Sequence, residues 1–154
     1  MTWLALSEEA RSYLEPVQFH AVQMLRMAVD MVDCTRRVLN PVTGLPIKMR
    51  FGLHTGNIVG GVLGTRSFRY DIFGPDVLCA NQMEANGVGG GIVVSKATRD
   101  ALASLEGSLY AVPGLTFLPH ETVEVKGMGL VETFIVVLDG VPLDDGTAGG
   151  PQHG

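Results

Sequence analysis

The stretch RYDIFGPDVLCANQMEANG, residues 69–87, joins a strand-like segment to a short helix. Pro75 suits the first turn of that helix, and a glycine follows its last residue. Asp71 lies just ahead of the helix, where a carboxylate invites a ligand-binding interpretation. The helix itself offers Leu78 and Gln82, although a polar site would require stronger groups. The stretch therefore has the strand-to-helix arrangement of a binding site, but its helix lacks strong polar groups.

Upstream of this stretch, the sequence predicts a long helix from about Glu15 to Leu39, which the prolines of NPVTGLP terminate. Asp30 and Asp33 lie on its polar side, and we interpret them as a solvated face rather than a carboxylate pair. Apolar residues at helical spacing predict the side of the helix that faces the core or an interface. These residues are Met24, Met27, Met31, Cys34 and Val38, with Leu25, Ala28 and Val32 widening the stripe.

Alternating or continuous apolar runs predict the strands. They lie at 47–54, 56–65, 91–95, near 115–125 and at 131–138. Thr55, Gly56 and Asn57 resemble a hairpin turn between the first two strands, and Ser95 is placed to cap the helix that follows it. The order of helices and strands predicts an α+β fold with a mostly antiparallel sheet and flanking helices.

Composition excludes several classes of protein. The chain has 154 residues, enough for one domain, and its net charge of −5 argues against a nucleic-acid partner. Its two cysteines, Cys34 and Cys79, show neither disulfide-scaffold nor zinc-site spacing. Its four histidines also lack metal-binding spacing. The longest apolar run, residues 134–138, is far shorter than the ~20 residues of a membrane span. The glycine-rich segments lack the GK[ST] of a phosphate loop, so we assign them to turns and close strand packing.

Several blocks in a fixed order resemble the class III nucleotide cyclases, the catalytic domains of adenylyl and guanylyl cyclases. The blocks are MRFGLHTGNIVGGVLGTRSFRYDIFGPDV, AN.MEANG and GGIVVSKAT, with HAVQMLRMAVDM before them and EVKGMGLVETFIVVL after them. The resemblance covers roughly residues 20–138. It implies a partial ferredoxin-like cyclase domain at 15–138, with an N-terminal extension at 1–14 and a disordered tail at 139–154.

The resemblance implies a reaction as well as a fold. Cyclases of this family pair two such domains head to tail and convert GTP or ATP to the cyclic 3′,5′-monophosphate and pyrophosphate in the cleft between them. Two aspartates on one half hold two divalent ions, Mg²⁺ or Mn²⁺, which activate the ribose hydroxyl and neutralise the leaving group. The other half supplies an Asn and an Arg to the ribose and transition state.

This chain departs from the family pattern G-x-x-V-N-x-A-S-R-M on the helix. Leu78 stands at the Asn position and Gln82 at the Arg position, so neither transition-state donor is present. The pattern resembles the metal-binding first half of two-domain cyclases, which lacks the same donors. That likeness implies that Arg50 contacts the nucleotide phosphates, with Lys126 as a weaker candidate. It assigns no catalytic residue to this chain.

Asp71 matches the position that reads the base in adenylyl cyclases. On a metal-binding half, the same position lines a second, pseudo-symmetric pocket. A third interpretation is structural, with the carboxylate capping backbone donors at the Gly74–Pro75 turn. Asp71 therefore leaves ATP and GTP open, although YDIFGPDV also resembles guanylyl cyclase halves and slightly favours GTP.

The family's metal aspartates belong to segments upstream of the long helix, and residues 1–19 contain no match to them. We therefore expect no metal ion on this chain alone, and expect activity to require an upstream segment and a complementary half-domain, as a homodimer or heterodimer. The alternative is a non-catalytic, cyclase-like partner in dimerisation or regulation. The family implies a cytoplasmic domain, with membrane attachment only through a larger parent protein.

Overall fold

The computed structural model describes residues 8–138 as an alternation of helices and strands. The helices are α1 (Glu8–Tyr13), α2 (Pro16–Arg36), α3 (Pro75–Ala85) and α4 (Lys96–Ala103). The strands are β1 (Phe51–Leu53), β2 (Val59–Leu63), β3 (Arg69–Phe73), β4 (Ile92–Ser95), β5 (Leu115–Pro119), β6 (Val123–Val125), β7 (Gly129–Val131) and β8 (Thr133–Leu138). The predicted 139–154 tail lies outside the described residues.

A four-stranded sheet in the order β1-β4-β8-β5 forms the centre of the fold. β1 runs parallel to β4, whereas β4 and β5 each run antiparallel to β8. The β2–β3 and β6–β7 pairs form separate two-stranded antiparallel sheets. The predicted α+β fold, with a mostly antiparallel sheet and flanking helices, is confirmed.

Strand β4 lies inside the sheet and is buried along its whole length. Ile92 and Val94 pack into a cluster with α2 and α4, whereas Val93 packs into a second cluster with Met83 of α3. Successive side chains of a strand point to opposite faces, so β4 divides the core into these two layers. Its continuous apolar sequence reflects burial on both faces.

Helix α2 confirms the predicted long helix, but only part of the predicted core or interface stripe lies in the core. Met24, Met27 and Met31 are exposed. The side that packs on the sheet consists of Phe19, Ala21, Val22, Leu25, Ala28, Val29 and Val32. Apolar residues cover more than one arc of this helix, so periodicity alone does not identify the arc that faces the sheet.

The predicted hairpin at Thr55–Asn57 is wrong. The strand before it is limited to Phe51–Leu53, and it pairs with β4 rather than with β2. The chain leaves the central sheet after Leu53, and β2 forms its hairpin with β3 instead. At Gly52, an added Cβ would overlap the backbone of α3 at Glu84, so the glycine permits close packing of this helix on β1.

A buried polar network connects the C-terminal end of β1 to the first turns of α3 and α4. The His54 ring, whose side chain is 4% exposed, lies 2.8 Å from Asp76 Oδ1 through Nε2. Its Nδ1 lies 2.7 Å from Ser95 Oγ. Ser95 is confirmed as the N-cap of α4, since its Oγ accepts a hydrogen bond from Thr98 N–H. The other Asp76 oxygen accepts the Asn57 backbone N–H at 2.9 Å.

The network favours the ionised form of Asp76. The hydrogen bond from His54 lowers the pKa of Asp76 most strongly, and the bond from the Asn57 amide adds to it, whereas burial opposes the shift. A carboxylate only accepts hydrogen bonds, so His54 Nε2 must be the donor to Asp76. With a neutral ring, Nδ1 then accepts the Ser95 hydroxyl proton.

We expect Leu25→Ala to lower the free energy of unfolding by about 2–5 kcal/mol, because it leaves a cavity between α2 and the sheet. The neighbouring Met24→Ala is the matched control and should cost less than about 1 kcal/mol. Leu25 is 0% exposed and Met24 is 45% exposed. Chemical denaturation of both variants measures the difference. Equal losses would contradict the assigned buried side.

We expect Asp76→Asn to remove a pH-dependent contribution to stability. Because the pKa of Asp76 is lowered on folding, its contribution is complete above the unfolded pKa of about 3.9 and is lost as the pH falls through the lower folded value. Wild type should exceed the variant by about 1–2 kcal/mol at neutral pH. Denaturation at successive pH values checks this prediction. Asp33→Asn, at an exposed helical ion pair with Arg37, should change stability by less than about 1 kcal/mol. If the difference between wild type and the Asp76→Asn variant is independent of pH, the prediction is contradicted.

Candidate functional site

The β2–β3 hairpin presents an apolar surface on both of its faces. Gly61 pairs with Asp71, and Val62 pairs with Tyr70, so the two pairs lie on opposite faces of the ribbon. Large apolar side chains are exposed along the hairpin and the residue that precedes it. They are Ile58, Val59, Val62, Leu63, Phe68, Tyr70, Ile72 and Phe73. Exposed apolar side chains grouped on one hairpin in this way are typical of an interaction surface.

Asp71 lies in the middle of this hairpin with its carboxylate half-buried. Its Oδ2 forms an ion pair with Arg69 Nη2 at 3.0 Å, and its Oδ1 accepts the Ile72 backbone N–H at 3.1 Å. These contacts lie on the hairpin rather than at the Gly74–Pro75 turn, so the structural role predicted for Asp71 at that turn is wrong. Asp76 instead accepts a backbone donor beside the turn. Base reading and the second pocket stay predictions for Asp71.

Leu78 and Gln82 share one face of α3, since they are four positions apart. Leu78 is 48% exposed and follows the end of the hairpin. Gln82 accepts a hydrogen bond from Asn86 Nδ2 at 3.2 Å through its Oε1. Neither side chain carries a charge to this face, and a leucine donates no hydrogen bond. The two side chains therefore lie on a common helix face, but neither replaces the family's donor at its position.

Arg50 lies just before β1 and forms an ion pair with Glu84 near the C-terminal end of α3. Both Nε and Nη2 of Arg50 lie 3.0 Å from Glu84 Oε1, and both side chains are nearly half exposed. An exposed pair of this kind contributes less than about 1 kcal/mol. Its guanidinium is therefore accessible to a competing anion.

Lys126 lies in the exposed turn between β6 and β7, at the other end of α3. A Cβ placed on its neighbour Gly127 would lie 3.7 Å from Pro75 Cβ, at the start of the helix. Glu84, the partner of Arg50, lies about 13 Å further along the helix axis. The structure therefore does not bring Arg50 and Lys126 together within one chain, and phosphate binding by each stays a prediction.

A cavity of about 380 Å³ lies between α2 and the C-terminal end of β1. Its lining includes Val17, His20, Met24, Leu53, His54 and Thr98. Within residues 8–138, β1 pairs with β4 alone, and its other edge has no strand partner. Gly52 and Leu53 of β1 contribute to the lining of the cavity.

Two further findings concern the described part of the chain. No group of three or more His, Cys, Asp or Glu residues within it is placed to hold a metal ion. No helix within it is long and apolar enough to cross a membrane.

Sequence reasoning missed the His54–Asp76 pair. A histidine at a strand end and an acidic residue in the first turn of a helix are both common, and the two lie 22 positions apart along the chain. Gly56 is the one available signal, because an added Cβ there would overlap the Asp76 carboxyl group. From sequence alone, Gly56 resembles an ordinary turn residue.

Comparison with known proteins places these features in a family. The model of the adenylate and guanylate cyclase catalytic domain matches residues 2–138. The chain is 32% identical over 137 residues to guanylate cyclase soluble subunit beta-2 of Rattus norvegicus, covering 89% of this chain and 19% of that protein. It is 38% identical over 118 residues to soluble guanylate cyclase gcy-34 of Caenorhabditis elegans, covering 77% and 16% respectively.

Solved structures agree with the sequence matches. The guanylate cyclase domain of RhGC from Catenaria anguillulae, in complex with GTP, has a TM-score of 0.62 and 28% identity, covering 77% of this chain and 60% of that chain. The guanylyl cyclase Cya2 has a TM-score of 0.63 and 27% identity, covering 82% and 62%. The chain thus spans less than two thirds of these domains, and less than a fifth of the curated relatives above. With residues 2–138 matched by its model, the chain belongs to the adenylate and guanylate cyclase catalytic-domain family.

Proposed function

We propose that this chain is part of a purine nucleotide cyclase catalytic domain that converts GTP or ATP to the cyclic 3′,5′-monophosphate and pyrophosphate. The family match over residues 2–138 is the observation that carries the proposal. GTP is slightly favoured, because the relatives at 32–38% identity are guanylate cyclases. Those relatives are much longer than this chain, so the complete activity requires segments beyond it.

A complementary cyclase half-domain is the proposed partner. The exposed apolar hairpin β2–β3 supplies a surface that a second domain would bury. The uncharged face of α3 indicates what that domain must contribute. Cyclisation develops charge at the α-phosphate, which charged or polar donors must stabilise, and Leu78 and Gln82 do not match the family's Asn and Arg. We therefore assign those donors to the partner.

We propose that the two divalent ions are held by an upstream segment that contains the metal aspartates. A segment that extends the central sheet could hydrogen-bond to the open edge of β1 and cover the adjacent cavity. Mg²⁺ or Mn²⁺ would supply activation of the ribose hydroxyl when bound there. The roles that we propose for this chain's own residues are phosphate binding by Arg50, with Lys126 as a weaker contact.

The phosphate role of Arg50 is compatible with its contacts. Its ion pair with Glu84 is exposed, so a phosphate of higher charge can replace the carboxylate at the guanidinium. Planar pairing of a guanidinium with phosphate oxygens suits this exchange.

The domain boundaries at residues 14 and 138 and a cytoplasmic location remain predictions.

A second candidate function is a non-catalytic, cyclase-like partner that acts through dimerisation or regulation. Leu78 and Gln82 favour it, since a leucine donates no hydrogen bond at the Asn position and a glutamine carries no charge at the Arg position. The two functions differ in their requirement for upstream metal aspartates. A native protein that carries them supports the catalytic role.

We expect the purified 154-residue chain to form neither cyclic AMP from Mn-ATP nor cyclic GMP from Mn-GTP. Its described residues provide no metal-binding cluster, and its α3 positions provide no charged donor. Chromatographic detection of both products measures turnover, with an active cyclase under the same conditions as the positive control. Turnover above the buffer blank would contradict the assignment of these groups to other segments.

We expect Arg50→Ala to lower kcat/KM about 10- to 100-fold in the enzyme assembled with its upstream segment and complementary half, because a charged contact to phosphate is lost. Glu84→Gln is the matched control. It removes the charge of the carboxylate that pairs with Arg50 but keeps the guanidinium, so its activity should equal or exceed that of wild type. Equal losses in both variants would indicate that the ion pair, rather than phosphate binding, is the role of Arg50.

A further inference from the structure

The β2–β3 hairpin is joined to the rest of the fold at two adjacent points. The chain enters it after Asn57 and leaves it at Gly74, which precedes α3. Gly74 has a φ of +136°, and a Cβ there would lie 3.5 Å from the Asn57 carbonyl oxygen. Within the described residues, β2 and β3 pair only with each other. The direction of the hairpin therefore depends on contacts at its base.

Asp76 is the side chain that connects the two ends of this base. It belongs to the first turn of α3, directly after the exit of the hairpin, and its Oδ2 accepts the Asn57 N–H at the entry. Gly56 lies against the same carboxyl group, because an added Cβ there would overlap it. A charge-assisted bond to a backbone N–H is among the stronger hydrogen bonds in proteins.

His54 connects this carboxylate to the buried core. Its Nε2 lies 2.8 Å from Asp76 Oδ1, and its Nδ1 lies 2.7 Å from the hydroxyl of Ser95, which is fully buried. Ser95 is both the last residue of β4 and the N-cap of α4, so it is part of the rigid centre of the fold. A continuous series of hydrogen bonds thus runs from the central sheet to the base of the hairpin.

We propose that His54 is a positioning residue that fixes the direction of the β2–β3 hairpin relative to the central sheet, acting through Asp76 and the Asn57 amide. The hairpin carries Asp71 and the exposed apolar surface. Its direction therefore determines how that surface meets a partner domain, and this consequence rests on the proposed function. The positioning role itself requires neither a nucleotide nor a partner.

Two substitutions at His54 separate positioning from simple filling of the core. Gln places its amide near the position of Nε2 and can still donate to Asp76, although its contact with Ser95 is weakened. Asn has one methylene fewer, so its amide lies near the position of Nδ1 and can contact Ser95 but not Asp76. Both variants replace the ring with a smaller polar side chain, and thermal melting verifies that each is folded.

The test uses the ¹⁵N-labelled 154-residue chain and NMR. In wild type and His54→Gln, we expect residual dipolar couplings from the hairpin and from the central sheet to fit one alignment tensor. In His54→Asn, the hairpin should require a separate tensor, and the Asn57 amide should exchange with solvent about tenfold faster. A single tensor in the His54→Asn variant, or equal changes in both variants, would overturn the proposal.

Should His54→Asn fail to fold, Asp76→Ala interrupts the same series of bonds from the other side while keeping the ring and its bond to Ser95. The hairpin should again require a separate tensor, and a shared one would overturn the proposal. Binding to the complementary half-domain is then measured separately. We expect the dissociation constant to rise about tenfold for His54→Asn and to stay near the wild-type value for His54→Gln. Absence of binding by wild type would contradict the proposed dimer but leave the NMR result standing.

Discussion

The burial of the Ser95 hydroxyl is the constraint on which the rest of this fold depends. Ser95 ends β4, an interior strand of the sheet, where a hydroxyl without a partner would cost about 1–3 kcal/mol. The Thr98 amide and the His54 ring satisfy it, and the ring in turn requires an acceptor at Nε2. Asp76 supplies that acceptor. The hydrogen bonds of one buried polar atom thereby connect β1, β4, α3 and α4.

The buried centre around Ser95 contrasts with two exposed apolar regions of the molecule. Ile92, Val93 and Val94 surround the buried centre with apolar packing on both faces of the sheet. The β2–β3 hairpin and the methionine side of α2 instead present apolar surface to solvent. Burying exposed apolar surface against another molecule lowers the free energy. Cyclase domains of this family act as dimers, so a second domain could bury the hairpin surface that is exposed in a single chain.

Much of the fold could be predicted from the sequence, because its signals are local. Pro75 and the Ser95 cap mark the starts of α3 and α4, and a continuous apolar run marks β4. The failures concern long-range choices. Periodicity did not distinguish the Leu25 side of α2 from the Met24 side, and a glycine-containing segment at Gly56 resembled a turn. Strand pairing and helix facing depend on the rest of the sheet, which no local pattern encodes.

The candidate site divides in the same way. Leu78 and Gln82 could be assigned through the resemblance to the family's helix pattern, and helical geometry then places them on one face of α3. The ion pair of Arg50 with Glu84 and the bonds of His54 to Asp76 could not, because each joins residues more than 20 positions apart. A resemblance to a family transfers positions, but it does not transfer the contacts that a particular chain makes at them.

The contrast between the intact network and the weak α3 face bears on what kind of domain this is. The Asp76 side chain is only 18% exposed, so its carboxylate would be costly without hydrogen-bond partners. Here the carboxylate is fully engaged by His54 and Asn57, directly beside a helix whose donor positions are Leu78 and Gln82. The hydrogen bonds that hold the base of the hairpin are therefore present, whereas the adjacent helix lacks the family's two donors. That combination is compatible with the proposed half-domain, which would present a surface in a defined direction while its partner supplies the Asn and Arg of the transition state.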